Sequence, residues 1–316
     1  MESSNEMIRR RIATAIPATG KDGWLAILTA ATLWGTTGIV FHALGTSDGA
    51  DAVSISFLRL ALSVPFLLAM ARFRTGTWLP LLGFRGILVL AGLGLSMAAY
   101  QLTYVLAIER VGVAISVLIS ICGAPVIVAL ISVLWFREPF HRRTLCAMAF
   151  AIIGTILLVG LPSEIHHEAE RFWIGIGWSV TCAACYALYI LVARAAGDIC
   201  GPMHAGGIGF AIGALALLPF GASDGVQLTY TLGGWALLIY VAAVPTAIAQ
   251  TLFLNGIKQT GAVGGSIATL LEPLVSTVLA LIVLGERITW YGALGAAILL
   301  SGIFIMQGKS EEIACE

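Results

Sequence analysis

Charge is scarce in this sequence. Asp, Glu, Lys and Arg make up 11% of the 316 residues, against roughly 25% in soluble globular domains. That is too little to hydrate the surface of a water-soluble protein of this length. Strict polar/apolar alternation is also missing, which excludes the strands of a transmembrane barrel. The six cysteines, Cys122, Cys146, Cys182, Cys185, Cys200 and Cys315, fall within or beside apolar runs and do not form the framework of a secreted disulfide protein. Before the first apolar run there is a polar arm with Arg9, Arg10, Arg11 and Lys21 and no small-residue cleavage pattern, so no cleaved signal is expected. No phosphate-cradling motif is present: "GGIGFAIG" at Gly206 to Gly213 lacks the following Lys and the preceding strand. Basic residues have no interleaved aromatic platform, so nucleic acid is not indicated.

What fills the space is apolar. Hydrophobic residues are 59% of the chain, and runs of the roughly 20 residues needed to cross about 30 Å of hydrocarbon recur along nearly all of it. Ten spans are expected, at 24–45, 52–71, 85–107, 112–135, 143–161, 172–194, 203–220, 234–256, 262–284 and 290–307. The fold class is therefore all-α integral membrane. Lys and Arg set its direction. One side receives Arg9, Arg10, Arg11, Lys21, Arg72, Arg74, Arg85, Arg137, Arg142, Arg143, Arg194, Lys258 and Lys309, the other only Arg110, Arg171 and Arg287. Both termini are expected in the cytoplasm.

The two halves align. Pro125 precedes Glu138 by the same thirteen residues that separate Pro273 from Glu286; Gln101 falls on Gln250, Gly112 on Gly261, Gly154 on Gly302 and Gly160 on Gly308, at nearly one offset. Five spans per copy is an odd number, so the second copy enters the membrane from the opposite side and the repeat is inverted. The expected organisation is a cytoplasmic arm 1–23, a first five-helix repeat 24–161, a periplasmic linker 162–171, a second five-helix repeat 172–308 and a cytoplasmic tail 309–316.

"LWGTTG" in the first span, "ERVGVA", and the doubled pattern of Pro, apolar helix, "REP" or "GER" and a Gly-containing last helix resemble the drug/metabolite transporter superfamily in its ten-helix EamA branch. Within it the chain is most similar to bacterial exporters of amino acids, including aromatic ones. The resemblance implies a secondary transporter in the bacterial inner membrane, working by alternating access on a small-molecule substrate among membrane lipids, with no cofactor, no metal and no enzymatic activity. The alternative cargo is an amphipathic drug or organic cation, exchanged for protons through Glu272. Phosphorylated cargo calls for several Lys or Arg inside the bundle, and only Arg59 qualifies.

Polar groups at membrane depth normally face a cavity or a partner, since burying them in lipid costs about 2.5–3.5 kcal/mol. Glu272 is the only acid near the middle of a span, and Pro273 withholds the donor that would bond the Thr269 carbonyl. The pair reads either as a broken helix offering a carboxylate to an ammonium group or a proton, or as a structural kink. Tyr100, Gln101 and Tyr104 fall within about one and a half turns, suited to holding an aromatic ring, and Gln250 is the repeat mate of Gln101. Stripes at helical spacing place Cys182, Tyr186 and Tyr189 together, and Trp34, Gly38 and Phe41 together. The substrate-binding candidates are thus Trp34, Tyr100, Gln101, Tyr104, Tyr186, Tyr189, Gln250 and Glu272, with Pro125 and Pro273 as hinges. Arg59, in the first half of its span and close enough to the outer face to snorkel, reads as an anchor contacting Asp48 or Asp51. Asn255 and His42 read as interfacial. "CAAC" at Cys182 to Cys185 lies inside an apolar span where no thiolate is stabilised, and His166, His167, Glu164 and Glu168 read as a solvated linker, not a zinc site.

Overall fold

The computed structural model describes residues 20–134, 141–160, 169–221, 226–285 and 289–314. The basic residues Arg9 to Arg11, Glu138, Glu286, Arg287, the His166 linker and Cys315 lie outside the described residues. Every described element is a helix: α1 (Gly20–Gly35), α2 (Thr37–Asp48), α3 (Ala52–Thr75), α4 (Phe84–Leu134), α5 (Arg142–Val159), α6 (Ala169–Cys200), α7 (Pro202–Gly221), α8 (Leu232–Val241), a π-helical segment (Ala242–Ile248), α9 (Ala249–Ala268), α10 (Leu271–Leu279), a second π segment (Ala280–Leu284) and α11 (Trp290–Ala314). Among the described residues, eight helical stretches are long and apolar enough to cross a membrane. Large apolar side chains such as Phe73, Leu215, Leu232 and Phe304 stand exposed on the outside, as a lipid-facing surface requires. Hydroxyls turn inward onto their own helices: Thr29, Thr103, Thr155 and Thr251 each donate to the carbonyl four residues back. The chain is an all-helical integral membrane protein.

Two of these stretches are too long for one crossing. α4 runs for 51 residues, and the stretch from Leu232 to Ala268 for 37. Each is broken at one glycine, Gly112 (φ 78°, ψ 170°) and Gly261 (φ 74°, ψ 170°), a region of backbone space that only glycine enters without strain. Contacts show that the chain reverses there. Gly86 meets Ile199 and Gly175 meets Val111, so the first arm of α4 runs antiparallel to α6. Ser120 bonds the Ser179 carbonyl at 3.2 Å and Gly123 meets Ala183, so the second arm runs parallel to α6. Likewise Gly23 meets Gln259 and Gly256 meets Ile27, whereas Gly264 meets Trp24 and Gly35 meets Val275. The expected loop at 108–111 does not exist; Arg110 stays helical and returns its Nη1 to the Leu106 carbonyl at 2.9 Å.

Small residues let these helices touch. A Cβ built on Gly94 would lie 2.2 Å from the Gly209 carbonyl oxygen, and one on Gly154 would lie 2.3 Å from the Leu299 nitrogen, the close approach expected of small-residue helix contacts. The end of the bundle bearing Gly261 is packed shut in this way around fully buried Trp24 and Ile27. Lys258 ties it to α6, donating to the Gly197 carbonyl at 2.6 Å and pairing with Asp198 at 2.9 Å, and His204 bridges the Cys200 and Thr77 carbonyls at 3.2 Å each.

Candidate functional site

Toward the other end the helices part around a cavity of about 990 Å³, at the upper end of the range for small-molecule sites. Its wall reaches Ile108 and Val113 beside Gly112, Gly160 after α5, and Thr289 before α11, so it runs from mid-bundle to the Gly112 end. Trp34, Tyr100, Gln101, Tyr104, Tyr186, Tyr189, Gln250 and Glu272 all line it, as does Pro273. Pro125 does not; it is buried in the second arm of α4, which stays helical through it.

The aromatic candidates form one continuous chain of rings, linked through Phe253, which is fully buried behind the cavity lining. Ring centroids step from Tyr104 to Tyr100 (6.0 Å), Tyr186 (4.8 Å), Tyr189 (6.1 Å), Phe253 (6.1 Å) and Trp34 (5.2 Å), within the range of favourable ring pairs. Trp34 and Tyr186 therefore do not touch; Phe253 and Tyr189 join them. Phe253 is the link that sequence reasoning missed, although its spacing of three from Gln250 puts it on the same face. His42 and Phe41 also line the cavity, whereas Asn255 bonds the Thr251 carbonyl of its own helix at 2.9 Å.

Two prolines shape the deep wall. Pro245 sits in the first π segment, and its missing N–H leaves the Val241 carbonyl without the usual helical donor. The Thr246 hydroxyl takes that carbonyl at 2.7 Å, which stabilises an otherwise rare local geometry beside the cavity. Around Pro273 the solution differs from the free carbonyl expected above. The helix tightens, and the Glu272 N–H donates to the Thr269 carbonyl at 3.0 Å. The Glu272 side chain is left partly exposed on the cavity wall.

Arg59 is a further correction. It lines the cavity and does not anchor to Asp48 or Asp51, because both acids are engaged elsewhere. Asp48 accepts from the Ser47 hydroxyl at 2.6 Å and the Thr231 N–H at 2.7 Å, and Asp51 caps α3 through the Ser54 N–H at 2.8 Å. Arg59 Nε is buried without a hydrogen-bond partner, as are Gln101 Nε2, Gln250 Nε2 and the Thr37 hydroxyl, all on the cavity lining. Gln250 uses only its oxygen, which accepts from the Tyr189 hydroxyl. Unmet buried donors are rare in native proteins, and here they concentrate on one wall. Among the described residues no group of acids, histidines and cysteines could hold a metal.

The sequence profile of the EamA-like transporter family matches residues 22–160 and again 173–307. An inner membrane transporter of Salmonella typhimurium, YicL, of uncharacterised function, is 27% identical over 93% of this chain and 98% of its own. The threonine/homoserine exporter RhtA of Escherichia coli is 29% identical over 79% of this chain and 80% of its own. A protein of known crystal structure shares the fold with a TM-score of 0.74 at 17% identity, covering 90% of this chain and 96% of that one. With an all-helical membrane bundle, a mid-bundle cavity and a family profile spanning both halves, the chain belongs to the EamA-like transporter family.

Proposed function

We propose that this protein is a secondary transporter that exports amino acids, aromatic ones among them, across the bacterial inner membrane by alternating access. The observation that carries the reading is the set of five aromatic rings on the cavity lining, Tyr104, Tyr100, Tyr186, Tyr189 and Trp34, the last joined to the others through buried Phe253, with the Glu272 carboxylate in the same cavity. Such a surface accepts an aromatic side chain, and the carboxylate accepts an ammonium group. The amino-acid exporter among its relatives agrees with this cargo. A purely cationic drug fits less well, because Arg59 shares the cavity and would repel it.

In this reading the reversals at Gly112 and Gly261 turn eight helical stretches into ten crossings, arranged as repeats 24–161 and 172–308 joined by a periplasmic linker. The equal backbone angles at those glycines and the two successive family matches support an inverted repeat. The Lys and Arg bias favours cytoplasmic termini, so the cavity faces the periplasm, and rocking of the repeats about Pro125 and Pro273 would expose it to the other side.

Counterflow of radiolabelled phenylalanine, tryptophan, threonine and methylviologen into proteoliposomes tests the proposal. Amino-acid movement that drops in Tyr100→Ala and Gln101→Ala is expected. Unchanged transport by both variants refutes the assigned face. Movement of methylviologen alone, lost in Glu272→Gln, moves the protein to the cation class.

A further inference from the structure

We infer that Arg59 is the recognition group for a substrate carboxylate, so that the cavity reads a zwitterion by its two ends, with Arg59 taking the carboxylate and Glu272 the ammonium. The inference rests on the transport reading above and adds a residue that the sequence assigned elsewhere.

A guanidinium carries donors and no acceptor. At membrane depth such a charge normally finds an acidic partner. Arg59 has none: among the described residues no carboxylate is paired with it, and the two acids nearest in sequence are occupied by Ser47, Thr231 and Ser54. Arg59 and Glu272 lie in each other's field without forming an ion pair. A second, independent observation points the same way. The amide nitrogens of Gln101 and Gln250, residues 6% and 1% exposed, are buried on the cavity lining with no acceptor. The three groups lack the same thing, an acceptor, which a carboxylate's oxygens supply.

Charge counting selects its class. One free guanidinium and one free carboxylate in a single cavity leave no net charge for a dianion to balance, and a phosphate would face Glu272 as a like charge. A cation without a carboxylate would satisfy Glu272 and leave Arg59 and both amides unmet. A zwitterion with an apolar or aromatic side chain supplies acceptors at one end, donors at the other and a ring for the aromatic wall. Planar, bidentate recognition of a carboxylate is what arginine does better than lysine.

The test compares three probes as competitors of phenylalanine counterflow in proteoliposomes: phenylalanine itself, phenethylamine, which lacks the carboxylate, and 3-phenylpropionate, which lacks the ammonium. On the unaltered protein both truncated probes should compete about 10- to 100-fold more weakly than phenylalanine, the factor expected for one charge-assisted hydrogen-bonding group. Arg59→Gln should weaken phenylalanine by about that factor and abolish its advantage over phenethylamine, and Arg59→Lys should recover only part of it. Glu272→Gln should instead erase the advantage over 3-phenylpropionate. Equal competition by phenylalanine and phenethylamine on the unaltered protein overturns the inference without any variant, so a poorly folding Arg59→Gln does not protect it. An Arg59→Gln protein that keeps the preference overturns it as well, and leaves amino-acid transport standing. Absence of counterflow for phenylalanine, tryptophan and threonine alike in the unaltered protein removes the transport reading and the Arg59 assignment together.

Discussion

The two ends of the bundle are built on the same device and come out opposite. At each, one glycine with φ near 75° and ψ 170° joins two antiparallel helical arms, and a Cβ on either glycine would meet nothing within 4 Å. The turns are therefore required for their backbone angles and do not decide which end is shut. The flanking side chains decide it. Beside Gly261, a Cβ on Gly256 would lie 2.5 Å from Ile27 and 2.6 Å from the Gly23 carbonyl oxygen, so α1 and α9 meet backbone to side chain. Beside Gly112, Ile108, Val113 and Ala114 stand on the cavity wall, and Val113 is 58% exposed. The contact of Gly256 with Ile27 and the Gly23 carbonyl seals one end, while Val113 at the other is left standing on the cavity wall.

Accessibility gives the largest contrast with which to break this comparison. In a background without native cysteines, Val113→Cys should react with a water-soluble maleimide while Ala262→Cys, buried at the shut end, stays unlabelled; equal labelling would mean that both ends are open. Gly256→Leu should destabilise the folded protein by about 3 kcal/mol or more, since a side chain there meets backbone that cannot yield. A normal melting temperature for that variant would remove the packed seal. Gly112→Ala and Gly261→Ala should each cost about 1–3 kcal/mol for backbone strain alone, and by similar amounts. Unequal costs would show that the matched angles serve different purposes. Thr246→Val should cost about 0.5–1.5 kcal/mol by removing the hydroxyl's hydrogen bond to the Val241 carbonyl, and most of that should return in the Pro245→Ala/Thr246→Val double variant, where the residue 245 N–H can take the carbonyl. Thermal unfolding in detergent checks the glycine and Thr246 variants.

The helices were legible because hydrocarbon thickness and apolar run length tie composition directly to structure. Their turns were not. Polar Glu109 and Arg110 suggest a loop, yet the helix runs past them and reverses at one glycine, because side-chain polarity says where water is and not where φ changes sign. In the site, polar and aromatic labels found Tyr100, Gln101, Gln250 and Glu272 on the cavity wall. Phe253 escaped because a phenylalanine in an apolar run carries no mark distinguishing a core ring that links the lining residues from any other core ring. Arg59 was misplaced because depth along a span fixes how far a side chain is from the surface and not which way it faces; only the capture of Asp48 and Asp51 by Thr231 and Ser54 leaves it to the cavity.

The single-residue reversals bear on how the protein is made. Two long apolar arms joined by one glycine have no connecting chain to leave in water while one of them waits, so each pair should enter the bilayer together as a hairpin. A joint that short also has no room for the Lys and Arg clusters that orient a helix during insertion. The direction of these hairpins is therefore inherited from their neighbours, and removing Arg72, Arg74 and Arg85 from the ends that flank Gly76 should disturb the first hairpin's direction where removing Arg110 beside Gly112 would not.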